Sequence, residues 1–571
     1  MTIKADILVI GAGGAGARAA IEAATRAPEM KIIILNQGPI GKSGLTAMAN
    51  GGMVWVEHPD DSPGALFKDL LEYGCYLNEQ NLVEALTIEG PQRAMELIGW
   101  GAKMIPFEPG GAGSKTGAPK RHAYPRGHYI PGVGYMEALR NEIARHPNIT
   151  VFEDVVTTKL LTSGNRVTGA FVINIRKGDY LVINTRATVL ATGGLGEIYP
   201  HSTNAPFGMH GHATGMGYAM AYHAGAELID MEMVQFTGNQ LYPPWLLGNP
   251  ELLCTMCGGK YINALGDEFI KQPQPRDVIQ KAALKEIREG RGTERGGVYI
   301  DLTLSPLTGE QIEEQLKHSL AEEVAKERWQ LIKRMSVNDP DPRNWRIEFT
   351  PGGAHFFMGG VKINEKCETS LEGLFAAGEV SGGVHGANRM GGNAMVEIIV
   401  FGARAGKFAC EYASGVNDST FEEDTEEEYK RVCSFFRNKG IAPKKITDRL
   451  AALMSEHVGV ARTEKGLYTA LKELQSLRSE DLPGMRAPAG FTYNPGWIEA
   501  IQVPYMLDTA EMIIRSAILR DESRGAHMRE DFPDTRPEWV THTSVRKKSG
   551  HMELNTTPVT ITRSRPGVRY E

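Results

Sequence analysis

An α/β fold, with a parallel sheet at its N-terminal end, is what this sequence predicts from three observations. First, a short apolar run, Ala5 to Ile10, leads into Gly11-Ala12-Gly13-Gly14-Ala15-Gly16, an Ala-rich helical stretch at Ala17 to Thr25 and a second apolar strand at Lys31 to Leu35. Second, three alternating strand patterns follow at 149–161, 166–175 and 179–190, the last running into Ala191-Thr192-Gly193-Gly194. Third, 65 of 571 residues are glycine, where roughly 7% is usual, with no collagen-like period and no low-complexity tract. Those glycines belong in turns and close backbone approaches around a large phosphate-bearing ligand.

Each element has a physical reason. Strand, GxGxxG and helix in that order form a dinucleotide-binding βαβ unit. Gly11 allows the tight turn, Gly13 lets a pyrophosphate reach the backbone, and Gly16 lets helix and strand pack closely, with the helix N-terminus facing the phosphates and Gly14 expected among the cofactor contacts. At the second strand's end, where an acidic residue often meets the ribose, stand Asn36 and Gln37. A second glycine-rich loop follows, with Lys42, Ser43, Gly44 and Thr46 and then Gly51-Gly52, which an NAD-type domain does not need. It suits a longer cofactor, extended FAD. The FAD contacts expected further along are Val156, Ala191, Thr192, Gly193, Thr214, Glu379 at the end of the strand Gly373 to Ala377, and Asn393, Ala394 and Met395.

Length and charge bound the function. At 571 residues the chain is too long for one core, so at least two domains are expected. With 62 Lys+Arg against 69 Asp+Glu the net charge is −7, and no positive excess draws the chain to nucleic acid. Six scattered cysteines imply a reducing, cytoplasmic setting rather than a disulfide framework. No secretory start and no stretch of ~18 apolar residues is read in the sequence.

Several blocks carry a family resemblance. They are Gly11 to Gly16, Ala191 to Gly194, Pro275-Arg276-Asp277, Ala354-His355-Phe356-Phe357-Met358-Gly359-Gly360, His385-Gly386-Ala387-Asn388-Arg389 and Glu522-Ser523-Arg524-Gly525-Ala526-His527. Nearly end to end, the chain resembles the flavoprotein subunits of succinate dehydrogenase and fumarate reductase, together with soluble fumarate reductases and L-aspartate oxidase. The resemblance implies a Rossmann-like FAD-binding domain in two pieces, 1–232 and 351–415. It further implies an inserted α+β capping domain at 233–350, a C-terminal helical domain at 416–535 and a small β tail at 536–571. Helical spacing of Leu450, Leu453, Met454 and Val458 agrees with the helical domain, and the alternation Val559 to Thr562 is read as part of the tail.

What the resemblance implies for chemistry is hydride transfer between flavin N5 and a C–C or C=C bond of a carboxylic acid. His355 and Arg389 match the family's substrate-binding histidine and arginine, and Arg276 matches its proton-transferring arginine. Three departures stand out. The Thr-Glu-x-x-Arg stretch that accompanies that arginine is absent, the corresponding region reading Glu251 to Gly259. Thr237, in Gln235-Phe236-Thr237, lies where the bacterial enzymes hold the other carboxylate with a histidine, so the substrate's distal group is expected to differ from that of fumarate or succinate. Leu45 occupies the position of the flavin-linking histidine, so FAD is expected to be noncovalent.

Cys254-x-x-Cys257 reads as two ordinary pocket cysteines, and no metal site is expected. Electrons are expected to pass to or from a separate iron–sulfur subunit, with peripheral membrane association through partners. An L-aspartate oxidase-like enzyme and a noncatalytic electron-transfer flavoprotein are the alternatives.

Overall fold

The computed structural model describes every residue except 1, 50, 105–125, 201, 203–212, 243–250, 273, 319–338, 340, 419–420, 422–424 and 565–571. Its largest sheet has seven strands. Ile149–Phe152, Ile32–Leu35, Thr2–Ile10, Tyr180–Leu190, Arg166–Asn174 and Val155–Ser163 lie side by side in that order. The seventh strand, Leu374–Ala376, pairs in parallel with the C-terminal half of Tyr180–Leu190, while Arg166–Asn174 pairs antiparallel with its N-terminal half. The expected first strand, 149–161, is in fact two. Asp154 adopts φ 55°, which breaks the run after Phe152 and turns the chain into Val155–Ser163.

In the parallel part of this sheet, Ile10, Leu35, Leu190 and Ala376 end at the same edge. That edge, beyond the strands' carboxyl ends, is where α/β sheets bind ligands. The helix Gly14–Arg26 starts there, and nearly all of it is buried against the sheet and the long helix Asn393–Gly415. Ala at positions 15, 17, 19, 20, 23 and 24 lets the two helices approach without gaps.

A second sheet is wholly antiparallel, in the order Val234–Tyr242, Arg346–Phe357, Val298–Asp301, Lys260–Ile262, Glu268–Ile270. It has its own core, in which Leu253, Tyr261, Ile279, Ile300, Ile347 and Phe349 meet. Its helix Arg276–Glu286 packs on Val234–Tyr242 and Arg346–Phe357. The helices Pro443–His457, Glu464–Ser476 and Pro495–Leu519 pack together on the main core, and Leu450, Leu453, Met454 and Val458 are buried as their spacing predicts.

The tail strands are Thr541–Lys548 and His551–Pro558, which extend a third sheet through Leu228–Ile229. Val559 to Thr562 is therefore not strand. Pro558, which has no N–H to donate, marks the end of the ladder. Among the described residues, no helix is long and apolar enough to cross a membrane.

Candidate active site

The carboxyl edge of the main sheet and the second sheet enclose a cavity of about 400 Å³. One part is backbone and small side chains: Gly11, Gly13, Gly14, Asn36, Gln37, Ser43, Gly44, Thr46, Gly51, Gly52, Val156, Ala191, Thr192, Gly193, Thr214, Glu379, Ala394 and Met395 all line it. Gly16, Lys42 and Asn393 do not. Gly16 lies behind the loop, where a Cβ would come within 1.9 Å of the Gly11 carbonyl oxygen, so its smallness is what lets helix and strand meet. Lys42 is exposed, and Asn393 is buried at the start of its helix.

This part fits FAD. Gly11, at φ 103°, would place a Cβ 2.2 Å from the Ala191 carbonyl oxygen, so the loop can turn there only with glycine. Asn36 Oδ1 accepts from the Ala12 N–H at 3.1 Å, and Thr46 Oγ1 from the Gly14 N–H at 3.1 Å, which fixes both glycine loops against each other. Thr192 Oγ1 is buried without a hydrogen-bond partner, a group left for a bound ligand. Glu379 faces the cavity with its Oε1 accepting from the Phe357 N–H at 3.1 Å. Burial pushes its carboxyl up to about 7. Leu45 also lines the cavity, and its side chain offers no atom for a covalent flavin link.

The opposite wall carries charge. Arg276 begins its helix, His355 lies in Arg346–Phe357, and Arg389 lies in the loop before Asn393–Gly415; all three line the cavity. The Arg389 guanidinium lies over the Phe356 ring at 4.5 Å, and its Nε is buried with no hydrogen-bond partner. Burial and the neighbouring Arg276 push Arg389 down to about 9. The same burial, with both arginines close by, holds His355 well below its ordinary value, so its ring is neutral. Tyr73 joins this wall beside Arg276, Asp277 and Arg389, and burial pushes its hydroxyl up to about 12.

Two residues not singled out from the sequence organise this wall. Gln235 Oε1 accepts from Arg276 Nη1 at 3.1 Å and from Arg389 Nη2 at 3.2 Å, while its Nε2 donates to Asn388 Oδ1 at 2.7 Å and the Arg389 carbonyl at 2.8 Å. The orientation is imposed from outside. Asp277 Oδ1 takes the Asn388 amide N–H at 2.9 Å, so Asn388 must turn its oxygen toward Gln235, leaving the Gln235 oxygen for the arginines.

Glu251 is the other. It lines the cavity with Oε2 3.8 Å from Arg276 Nε, while Oε1 accepts from the Gly238 N–H at 3.1 Å and from Gln280. Burial raises its carboxyl to about 7, against the pull of Arg276. The signal available in the sequence is a glutamine between the apolar Val234 and Phe236 and a lone glutamate heading a short helix. Each is a buried polar group that must find partners.

Thr237, by contrast, is buried in the strand pair opposite Gly353 and does not line the cavity. Cys254 and Cys257 are buried free thiols, and Cys254 lies near Tyr261 and Glu251.

Such a cradle, with cations across from it, defines a flavin-dependent enzyme that takes an anionic substrate. Comparison with known proteins narrows the class. Residues 6–395 match the FAD binding domain model and residues 447–570 the fumarate reductase flavoprotein C-terminal model. The chain is 38% identical over 563 residues to a subunit of the CoM/CoB fumarate reductase of Methanothermobacter marburgensis, spanning 95% of this chain and 97% of that one. Among solved structures, E. coli quinol fumarate reductase matches with a TM-score of 0.88 and 28% identity, covering 100% of this chain and 99% of the other. Mycobacterium smegmatis Sdh1 matches with a TM-score of 0.84 and 30% identity, covering 99% and 96%. The chain belongs to the fumarate reductase and succinate dehydrogenase flavoprotein family, and FAD is its cofactor.

Proposed function

We propose that the chain reduces the carbon–carbon double bond of an unsaturated carboxylic acid, as the flavoprotein subunit of a complex whose electrons come from an iron–sulfur partner. The observation that carries this reading is the meeting of Arg276, His355 and Arg389 on a cavity otherwise formed by the FAD cradle. When bound, FAD supplies hydride to one carbon of the double bond. Relatives named as subunits of fumarate reductases support the reaction and a place in a complex. FAD would be held noncovalently, since Leu45, which lines the cavity, offers no atom for a covalent link.

Arg389 grips one carboxylate. Its unpartnered Nε and its stacking on Phe356 give a fixed, desolvated donor, and neutral His355 adds a second N–H. Arg276 delivers a proton to the carbon that does not receive hydride. Arginine ordinarily keeps its proton, so this requires a neighbour that returns one. Glu251 is that neighbour: burial raises its carboxyl to about 7, so near neutral pH it still carries a proton to give, and it faces Arg276 at 3.8 Å.

Thr237 stands where the family has its distal histidine and is buried away from the cavity, so that contact is missing and the distal group is assigned as different from that of fumarate. The test is turnover of a panel of unsaturated acids, fumarate included, with a reduced dye as donor. No acid accepted overturns the reaction; fumarate accepted alone overturns the distal-group assignment.

A further inference from the structure

One buried amide stands between the two arginines of the cavity wall. Gln235 is 1% exposed and does not line the cavity, yet its Oε1 is shared by Arg276 Nη1 at 3.1 Å and Arg389 Nη2 at 3.2 Å. Those two nitrogens therefore lie within about 6 Å of each other, where like charges repel in a buried site. Both amide hydrogens are spent as well, on Asn388 Oδ1 at 2.7 Å and on the Arg389 carbonyl at 2.8 Å. Turned over, the amide would set its oxygen against two acceptors and its N–H groups against two cations, so one orientation alone satisfies the site.

Strand register puts the amide there. Gln235, in Val234–Tyr242, pairs with Phe356 in Arg346–Phe357, and the Phe356 ring lies under the Arg389 guanidinium at 4.5 Å. One paired position thus holds Arg389 twice, by an oxygen at its edge and a ring at its face. A slip of one residue would turn the side chain of the slipped strand to the other face of the sheet. The amide also closes a ring between two neighbouring pairs in the chain, Arg276-Asp277 and Asn388-Arg389, whose other link is Asn388 Nδ2 donating to Asp277 Oδ1 at 2.9 Å.

The oxygen is neutral, and that decides what it can do. A carboxylate in its place would pair with the arginines and compete with an incoming anion, while an apolar side chain would leave two repelling cations with no shared acceptor. We infer that Gln235 is a positioning residue, whose single neutral oxygen holds Arg276 and Arg389 at one spacing and leaves their charge for the substrate's carboxylate. This role rests on the reading that the two arginines act on the substrate, and Gln235 works through them. Burial and Arg276 push Arg389 down to about 9, against Glu379, Tyr73 and Glu397, with His355 and His385 neutral beside it. Loss of a shared acceptor moves Arg389 further the same way.

The experiment uses full-length, FAD-loaded, oxidised protein and butyrate, a saturated monocarboxylate it cannot reduce, with binding read from the change in flavin absorbance. Gln235→Met is expected to raise the butyrate Kd by about 10- to 100-fold. It should also shift to lower pH the weakening of binding that wild type shows near pH 9. Loss of packing alone would lower the yield of flavin-loaded protein without moving that pH limit. A wild-type Kd and pH limit in Gln235→Met overturn the inference alone. A wild type that binds no butyrate overturns the anion-binding wall and the role of Gln235 with it. If wild type reduces no acid of the panel, the proposed reaction falls, while the butyrate Kd still decides Gln235. Should Gln235→Met lose FAD or fail to fold, Gln235→Asn, the same amide one carbon shorter, decides by the same two readouts.

Discussion

Arg389 and Arg520 are both buried arginines, and they are treated in opposite ways. Arg520 meets three carboxylates, with Nε 2.6 Å from Glu232, Nη1 3.1 Å from Glu522 and Nη2 3.4 Å from Asp230, and it donates further to the carbonyls of Trp539 and Thr541. Burial works against its charge, but those carboxylates outweigh it and hold it more firmly protonated than usual. Around it Arg524 pairs with Glu522 at 2.7 Å, and His542 sits between Asp230 and Glu79. Arg389 instead rests on a neutral amide oxygen and an aromatic ring, with one N–H unspent and a second arginine close by. Where charge is fully answered, the residues fasten the segment 228–232 to the tail. Where it is left unanswered, the wall is ready for an anion from outside.

That contrast is open to direct attack. The largest effect is expected from Arg389→Met, which should lower turnover by ~10³–10⁴-fold while flavin absorbance per protein stays at the wild-type level. Flavin loss in that variant would mean that Arg389 supports the fold after all. Arg520→Met should do the reverse, lowering unfolding free energy by about 3–5 kcal/mol in urea with turnover per folded molecule within about twofold.

A third effect follows from His542. Burial opposes its charge, but Asp230 and Glu79 raise it from 6.5 to about 9, so its stabilisation is complete below pH 6.5 and disappears as pH rises through 9. Stability measured across that window should fall by about 3 kcal/mol, and His542→Gln should flatten the curve. Smallest of the four, Glu251→Gln should cost ~10²-fold in kcat. The wild-type kcat should decline as pH rises through about 7, where Glu251 loses its proton, and that decline should vanish in the variant. A second decline in kcat/KM is expected near pH 9, where Arg389 is discharged in the presence of Arg276, Glu379, Tyr73 and Glu397.

The cradle is legible in the sequence because its chemistry is local. Gly11 to Gly16 encode a strand, a turn and a helix within a few residues, and their neighbours in the chain are their neighbours in space. The charged wall is only partly so. Arg276, His355 and Arg389 stand out through the blocks they sit in, but Gln235 works by meeting Arg276 and Arg389 across two other segments, and that depends on strand register. Glu251 escapes notice because the expected Thr-Glu-x-x-Arg pattern is missing, although a carboxylate still reaches Arg276 from the head of the helix Leu252–Cys257. Thr237 is singled out by position alone, and the strand buries it away from the cavity.

The seventh strand of the main sheet sets a timetable for synthesis. Leu374–Ala376 joins Tyr180–Leu190, a strand made long before it, and Glu379, Ala394 and Met395 reach the cradle with it. At about 5–20 residues per second, roughly 10–40 s separate the emergence of Leu190 from that of Leu374 on the ribosome. During that interval the edge of Tyr180–Leu190 that will receive Leu374–Ala376 is open, and the glycine loops have only part of their cofactor site. Flavin capture therefore belongs after Leu374–Ala376 has emerged, when the cradle is first complete.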